Sequence, residues 1–146
     1  VGFKYKMSNI QAAIGCAQAE RVGELIKKKK EIFRVYHEAL CGIPGISMNP
    51  EPEGTVNGVW MPTVVFAQET GITRDKLQTD FSAENIDARV FFWPLSSLPM
   101  FKSIHSNIYA YSVSGRAINL PSYHDINNEE IGRVASVIRK TISILY

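Results

Sequence analysis

The first forty residues carry a hydrophobic pattern that is typical of one long helix. Ser8 or Asn9 can supply its N-cap, and the G-I-P-G sequence at 42–45 ends it. Apolar side chains recur at three-, four- and seven-residue steps in two successive runs, Ile10, Ile14 and Ala17, then Val22, Leu25, Ile32, Tyr36 and Leu40. The predicted helix, residues 8–40, is about 45 to 50 Å long at 1.5 Å per residue. A helix of that length usually bridges two bodies, which indicates a further domain upstream.

Three short apolar runs in the rest of the chain are typical of strands. They are rich in β-branched and aromatic residues and cover 59–67, 87–93 and 116–120. Pro62 has no N–H to donate, so we expect its strand to lie at an edge or at a bulge. The Pro-, Glu- and Gly-rich residues 48–58 predict a surface loop, and residues 108–114 a short helical turn.

Two further helices are marked by their N-caps. Thr73 caps a short helix on which Leu77 and Phe81 share a face. Asn127 stands three residues before Glu130, as in a capping box, and begins the final helix. The apolar positions of that helix are Ile131, Val134, Ile138 and Ile142 or Leu145. These elements predict an α/β or α+β fold, in which helices cover a small three-stranded sheet.

Composition and charge are those of an ordinary globular domain. The chain has 146 residues, of which 45% are hydrophobic and 21% charged, and one domain of this size can bury its own core. A net charge of +2 gives no reason to expect a nucleic-acid or membrane partner. The two cysteines lack the spacing of a zinc site or a disulfide framework. We therefore expect free thiols, no metal and a cytoplasmic location.

The residues before the long helix form a first candidate site. Lys4 and Lys6 alternate with aromatic residues and lead into the helix N-terminus, where N–H groups and the helix dipole favour an anion. A phosphate there would be held by charge-assisted hydrogen bonds. The alternative is an extended segment whose lysines are solvated. The four lysines at 27–30 lie inside the helix near glutamates, which is typical of a solvated helix face.

Residues 89–101 form a second candidate site. Arg89 precedes an aromatic run, and Ser96 follows it. Strand alternation would place Phe92 on the face opposite its two aromatic neighbours. An arginine and a serine beside such an aromatic wall can bind a polar ligand, and the alternative is that the aromatic rings build the core. The chain has no nucleophile-elbow, phosphate-loop or paired-histidine motif, so the residues alone name no reaction.

Four stretches in this order resemble one known family. Residues 2–18 are similar to G-x-N-x-R-M-x-x-x-Q-A-A-x-G-x-x-Q, and residues 31–40 to R-E-I-x-x-x-Y-x-x-x-L. Residues 86–100 are similar to G-I-x-x-R-x-x-x-x-P-L with a following proline, and residues 118–134 to L-P-x-x-x-x-L-x-x-x-E-I-x-x-V. These are motifs of the DegT/StrS family of sugar aminotransferases, which the chain resembles over nearly its whole length.

The resemblance implies the fold of aspartate aminotransferase and its cofactor, pyridoxal 5′-phosphate (PLP). In that fold a large PLP domain is followed by a long helix and a smaller C-terminal domain. Residues 1–41 would then be a domain-linking segment with the long helix, residues 42–146 the small domain, and the large domain would be absent from this chain. The family consists of homodimers with active sites at the subunit interface, so we also expect the chain to self-associate.

The resemblance also implies roles for individual residues. Lys4 takes the place of the family's asparagine and Lys6 that of its arginine, both directed at the PLP phosphate of the partner subunit. Ser96 stands where many members have a histidine. The residues that would face the substrate are Tyr5, Arg89, Phe92 and Ser96.

The implied reaction transfers an amino group from an amino acid, usually glutamate, to a keto group of a nucleotide-linked deoxysugar. Members that aminate 4-keto (perosamine-like) or 3-keto sugars are the most similar. No lysine in the chain matches the family's Schiff-base motif, so we expect no catalytic residue here and no activity of the chain alone. The alternatives are a PLP-dependent dehydratase of the same fold, with histidine in place of that lysine, and a non-catalytic dimerisation or binding module.

Overall fold

The computed structural model describes Phe3 and residues 5–143, in which helices pack on one antiparallel sheet. The helices are α1 (Asn9–Glu20), α2 (Val22–Leu40), α3 (Arg74–Ala83), α4 (Ile108–Ser114) and α5 (Asn128–Ser143). The strands are β1 (Ile46–Met48), β2 (Thr63–Phe66), β3 (Arg89–Val90) and β4 (Ala117–Asn119). Their order in the sheet is β1-β2-β4-β3. The predicted fold class, a small sheet covered by helices, is confirmed.

The predicted single helix is in fact two helices that meet at Arg21. This residue has φ −103° and ψ 0°, outside the helical region. Ser8 is the N-cap of α1, with a capping box to Gln11, as the sequence predicted. The prediction of one continuous helix was wrong because a hydrophobic repeat does not register one non-helical residue. Gly23, a poor helix former, lies just after the break.

The sheet has four strands where three were predicted. The missed strand, β1, is three residues long and pairs with β2 from Ile46 opposite Phe66 to Met48 opposite Val64. So short a run shows too little alternation to be recognised. The expected edge position of β2 was also wrong, because β2 lies between β1 and β4. Pro62 precedes the first paired residue, where no N–H is needed, and its carbonyl accepts from the N–H of Leu120 at 2.8 Å.

The core lies between one face of the sheet and the helices α2, α3 and α5. The sheet contributes Val64, Phe66 and Ile118 to it. The helical residues buried there include Ile32, Tyr36 and Leu40 of α2, Leu77 and Phe81 of α3, and Ile131, Val134, Ile138 and Ile142 of α5. The C-terminal half of α2 is therefore part of the same core as the sheet, whereas α1 buries no residue.

Two further sequence expectations concern the helix caps and the thiols. The Asn127 side chain accepts from the N–H of Glu130, and the Glu130 carboxylate from the N–H of Asn127, each at 2.9 Å. Cys16 and Cys41 are free and exposed. Within the part of the chain that the structure describes, no helix is long and apolar enough to cross a membrane.

Candidate functional site

A cleft of about 250 Å³ lies where the ends of three strands meet α2. We call it the strand-end cleft. Its polar and aromatic lining residues are Lys29, Trp60, Asp87, Arg89, Asn119, Ser122 and Tyr123. An adjoining cavity of about 420 Å³ shares Asp87, Ser122 and Tyr123 with it and continues along α5. The cleft thus joins side chains that are up to 93 residues apart in the sequence.

Lys29 reaches into the strand-end cleft from α2. Its Nζ donates to the backbone carbonyl of Ser122 and, at 3.2 Å, to Ser122 Oγ. Within residues 5–143, no carboxylate lies within ion-pairing distance of this ammonium group. Burial lowers the pKa of Lys29. The position of this amine is therefore fixed by hydrogen bonds to one turn, without a counter-charge.

Asn119 lies at the floor of the cleft, between two cross-strand neighbours. In the antiparallel register it is opposite Thr63 on one side and Arg89 on the other, so the three side chains share a face of the sheet. Asn119 is 2% exposed, and its Oδ1 accepts from Thr63 Oγ1 at 2.8 Å. Its Nδ2 is the one buried side-chain nitrogen or oxygen without a hydrogen-bond partner among the described residues.

Arg89 is the predicted site residue that lies in the strand-end cleft. Its Nη2 is 3.1 Å from Oδ2 of Asp87, and the two side chains are 75% and 79% exposed. So exposed a pair contributes little to stability and leaves most of the five guanidinium N–H donors available. Trp60, which is 65% exposed, adds an aromatic surface to the same cleft.

Tyr5 and Lys6 are not among the residues that line this cleft. Tyr5 and Lys6 are exposed in the extended segment before α1, and the rings of Tyr5 and Phe3 are 6.2 Å apart. No ion pair involving Lys6 occurs in the described residues. Lys4 lies outside the residues that the structure describes, so its predicted phosphate contact stays a prediction.

The aromatic run after β3 does not alternate as predicted. Because β3 ends at Val90, the strand pattern stops before the run, and Phe92 and Trp93 are both 59% exposed. The guanidinium carbon of Arg74 lies 3.9 Å from the centroid of a Trp93 ring. Arg74 is only 9% exposed and donates to the carbonyl of Ser114 at 3.3 Å. The buried Arg74 guanidinium thus packs on one face of the Trp93 ring in a cation–π contact.

Ser96 is buried in a short 3₁₀ turn at Leu95–Ser97. Its Oγ and the Oη of Tyr111 on α4 are 2.7 Å apart, at hydrogen-bonding distance. The hydroxyl that the sequence offers as a substrate contact is thus already bonded to a tyrosine of the same domain. Ser96 can face a ligand only together with Tyr111.

Arg89, which the sequence indicated as a candidate, lines the strand-end cleft, whereas most of the other lining residues were not predicted. Lys29 was not predicted as a site residue because it is one of four consecutive lysines, and only the fold shows which of them reaches the sheet. Asn119 and Trp60 were not considered, because each acquires its setting from strand pairing. Among Phe3 and residues 5–143, no group of three or more His, Cys, Asp or Glu side chains is arranged to hold a metal ion.

A family model described as the DegT/DnrJ/EryC1/StrS aminotransferase family matches residues 1–139. The chain belongs to this family. Arg89, Asn119 and the extended N-terminal segment all lie within the matched range. The residues that line the strand-end cleft therefore all lie in the part of the chain that the family model matches.

Individual relatives agree with this assignment. The GDP-perosamine synthase of Vibrio cholerae is 34% identical over 142 residues, which cover 95% of this chain and 38% of that protein. A Bacillus subtilis relative, provisionally named a pyridoxal phosphate-dependent aminotransferase, is 31% identical, with 94% and 37% covered. The crystal structure of DesI, determined in the presence of its TDP-sugar product, matches with a TM-score of 0.83 and 25% identity over 97% of this chain and 37% of that one. The chain thus spans less than two fifths of the length of these relatives.

Proposed function

We propose that this chain is the C-terminal domain of a PLP-dependent aminotransferase that aminates a keto group of a nucleotide-linked deoxysugar. The family match over residues 1–139 carries the proposal. Two relatives support its substrate class, since one is named a GDP-perosamine synthase and the other a dTDP-4-amino-4,6-dideoxy-D-glucose transaminase. In this proposal glutamate is the amino donor and the whole protein is a cytoplasmic homodimer.

The length of the match supports separate roles for this chain and for the rest of the proposed full-length protein. The chain covers 38% of the Vibrio relative, and the remainder would contain the large domain with the lysine that holds PLP. Residues 1–41 would link the two domains, and residues 42–146 would form the small domain. The chain alone would therefore have no aminotransferase activity.

The N-terminal segment fits the phosphate of PLP in charge and accessibility. Lys6 is exposed and precedes the capped N-terminus of α1 by two residues, so its ammonium group is free to pair with an anion outside this domain. Lys4 and Lys6 would hold the phosphate of the partner subunit's cofactor through charge-assisted hydrogen bonds. PLP, when bound, supplies the electron sink for amino transfer. The substrate would be faced by Tyr5, Arg89, Phe92 and Ser96.

The first test is a PLP titration of the full-length protein with an absorption spectrum. A band of lysine-bound PLP, with transamination of a keto nucleotide sugar by glutamate, is the expected result. Cofactor bound without such a band would indicate the dehydratase, and no cofactor binding would indicate the binding module. Turnover by the 146-residue chain alone would contradict the assignment of catalysis to the missing domain.

Lys6→Gln in the full-length protein tests the phosphate contact. Loss of one charge-assisted hydrogen bond should weaken PLP binding about tenfold. Lys27→Gln, the same change on the α2 surface, should leave it unchanged. Equal PLP affinities of the two variants would remove Lys6 from the cofactor site.

A further inference from the structure

We propose that the strand-end cleft binds an oxyanion of a substrate, a carboxylate or a phosphate, between Lys29, Arg89 and Asn119. The proposal rests on the proposed function for the identity of the molecule that brings the anion. The binding itself is a property of this domain.

The strand-end cleft has more positively than negatively charged side chains. Its charged side chains are Lys29, Arg89 and Asp87, two cations against one anion. The Asp87 side chain is 79% exposed and, among the described residues, forms its ion pair with Arg89. Ammonium and guanidinium groups are donors without acceptor capacity, so an incoming oxyanion would find at least two charged donors and one peripheral competitor.

Hydrogen bonds within the domain already hold Lys29 in place. Its two hydrogen bonds to Ser122 leave one of three N–H donors for a ligand. The Ser122 Oγ is within 3.3 Å of the Trp60 carbonyl as well, which ties the turn after β4 to the residues before β2. A charge fixed in this way loses little conformational freedom on binding.

Among the described residues, the side-chain nitrogen of Asn119 at the cleft floor has no hydrogen-bond partner. Thr63 uses the oxygen of Asn119 and leaves Nδ2 buried and unpaired. Buried polar groups are nearly always hydrogen-bonded, and each exception needs an explanation, of which a bound water or ion is one. A cross-strand position beside Arg89 would let one anion approach both side chains.

The size of the cleft restricts the ligand to a small group. A volume of about 250 Å³ is below the usual lower bound, roughly 300 Å³, for sites that enclose a drug-sized ligand. It suits one phosphate or the carboxylate end of an amino acid. Phosphate and carboxylate are both oxyanions, and the experiment below distinguishes between them.

The test measures inorganic phosphate binding to this chain at constant ionic strength through the fluorescence of Trp60. Trp93→Phe removes the other tryptophan of the chain, so the emission reports on the cleft. We expect saturable binding, weakened about tenfold by Lys29→Gln. Lys30→Gln, the same change one residue along α2, is the matched control and should alter affinity less than twofold.

Asp87→Asn gives a second variant with the opposite sign, at an exposed position that does not threaten the fold. Removal of the competing carboxylate should tighten phosphate binding several-fold. Circular dichroism checks that each variant is folded. Equal effects of the Lys29 and Lys30 variants, weaker binding after Asp87→Asn, or no saturable response would each overturn the proposal.

Acetate and L-glutamate distinguish the source of the anion. Phosphate binding without competition from either would assign the cleft to the nucleotide phosphates, and competition by both would assign it to the amino donor. Phosphate binding in a full-length protein without aminotransferase activity would uphold the cleft and refute the proposed function. An active enzyme whose cleft binds no anion would do the reverse.

Discussion

The turn after β4 is held at the level of single residues. Tyr36 of α2 is fully buried and its Oη donates to the carbonyl of Pro121 at 2.9 Å. Lys29, two turns earlier on the same helix, bonds the next residue, Ser122. One face of α2 therefore sets the position of this turn and, with it, one wall of the strand-end cleft.

Tyr36→Phe should lower the free energy of unfolding by about 1 kcal/mol, since it removes this hydrogen bond and leaves the carbonyl unpaired. Burial raises the pKa of Tyr36 above its usual value. As pH rises above about 10, the unfolded state loses this proton while the folded state keeps it, so stability falls. The variant should lose part of that alkaline decline in denaturant titrations. The exposed Tyr109→Phe is the control, and an identical pH profile for both variants would contradict the assignment.

Single elements differ widely in how firmly they are held. Helix α5 begins with a complete capping box and buries seven side chains. Helix α1 has a capping box too, but buries none. Because tertiary packing supplies most helix stability in proteins, α5 is anchored by its buried side chains, whereas α1 has no such packing among the described residues.

Asn127→Ala should cost about 1 kcal/mol of stability, because the N–H of Glu130 loses its acceptor at the start of α5. The adjacent Asn128→Ala changes the same side chain inside the helix, where alanine is favoured. Thermal unfolding of the two variants gives the comparison. Equal melting temperatures would show that the cap does not stabilise the domain.

The elements best predicted from the sequence are those with local chemical signals. Thr73 and Asn127 mark their helices because N-cap side chains bond only nearby N–H groups. β1 and the break at Arg21 were missed because neither has such a signal: β1 is three residues long, and one non-helical residue leaves the hydrophobic repeat unchanged. The candidate site divides in the same way. Arg89 was found from its neighbours in the sequence, whereas Asn119 depends on two partner strands.

The whole molecule leaves large apolar side chains on its surface. They include Ile10 and Ile14 of α1, Val22 and Ile26 of α2, and Leu95, Met100, Phe101 and Tyr109 around α4. Contiguous exposed apolar patches usually mark contact surfaces. The chain spans 38% of the Vibrio relative's length, and the proposed function assigns this surface to contacts with the large domain and a second subunit.

Ile14→Glu should reduce self-association of the 146-residue chain, because it places a charge in the apolar surface of α1. Sedimentation velocity over a range of concentrations would record a shift toward monomer. Val56→Glu is the control, since Val56 is also exposed, at 80% against 61% for Ile14, but lies in a polar loop. A chain that is monomeric without either substitution would contradict the expected association.

The closure of the core by α2 and α5 has a consequence for synthesis on the ribosome. Arg139 of α5 bonds the carbonyl of Ala39 of α2, a hundred residues earlier, and the two helices share the core. The apolar side of α2 therefore stays uncovered during synthesis until α5, a hundred residues later, has been translated. A stalled ribosome or a late stop codon would release a nascent chain without its closing helix, and such a product is a substrate for chaperones and proteases.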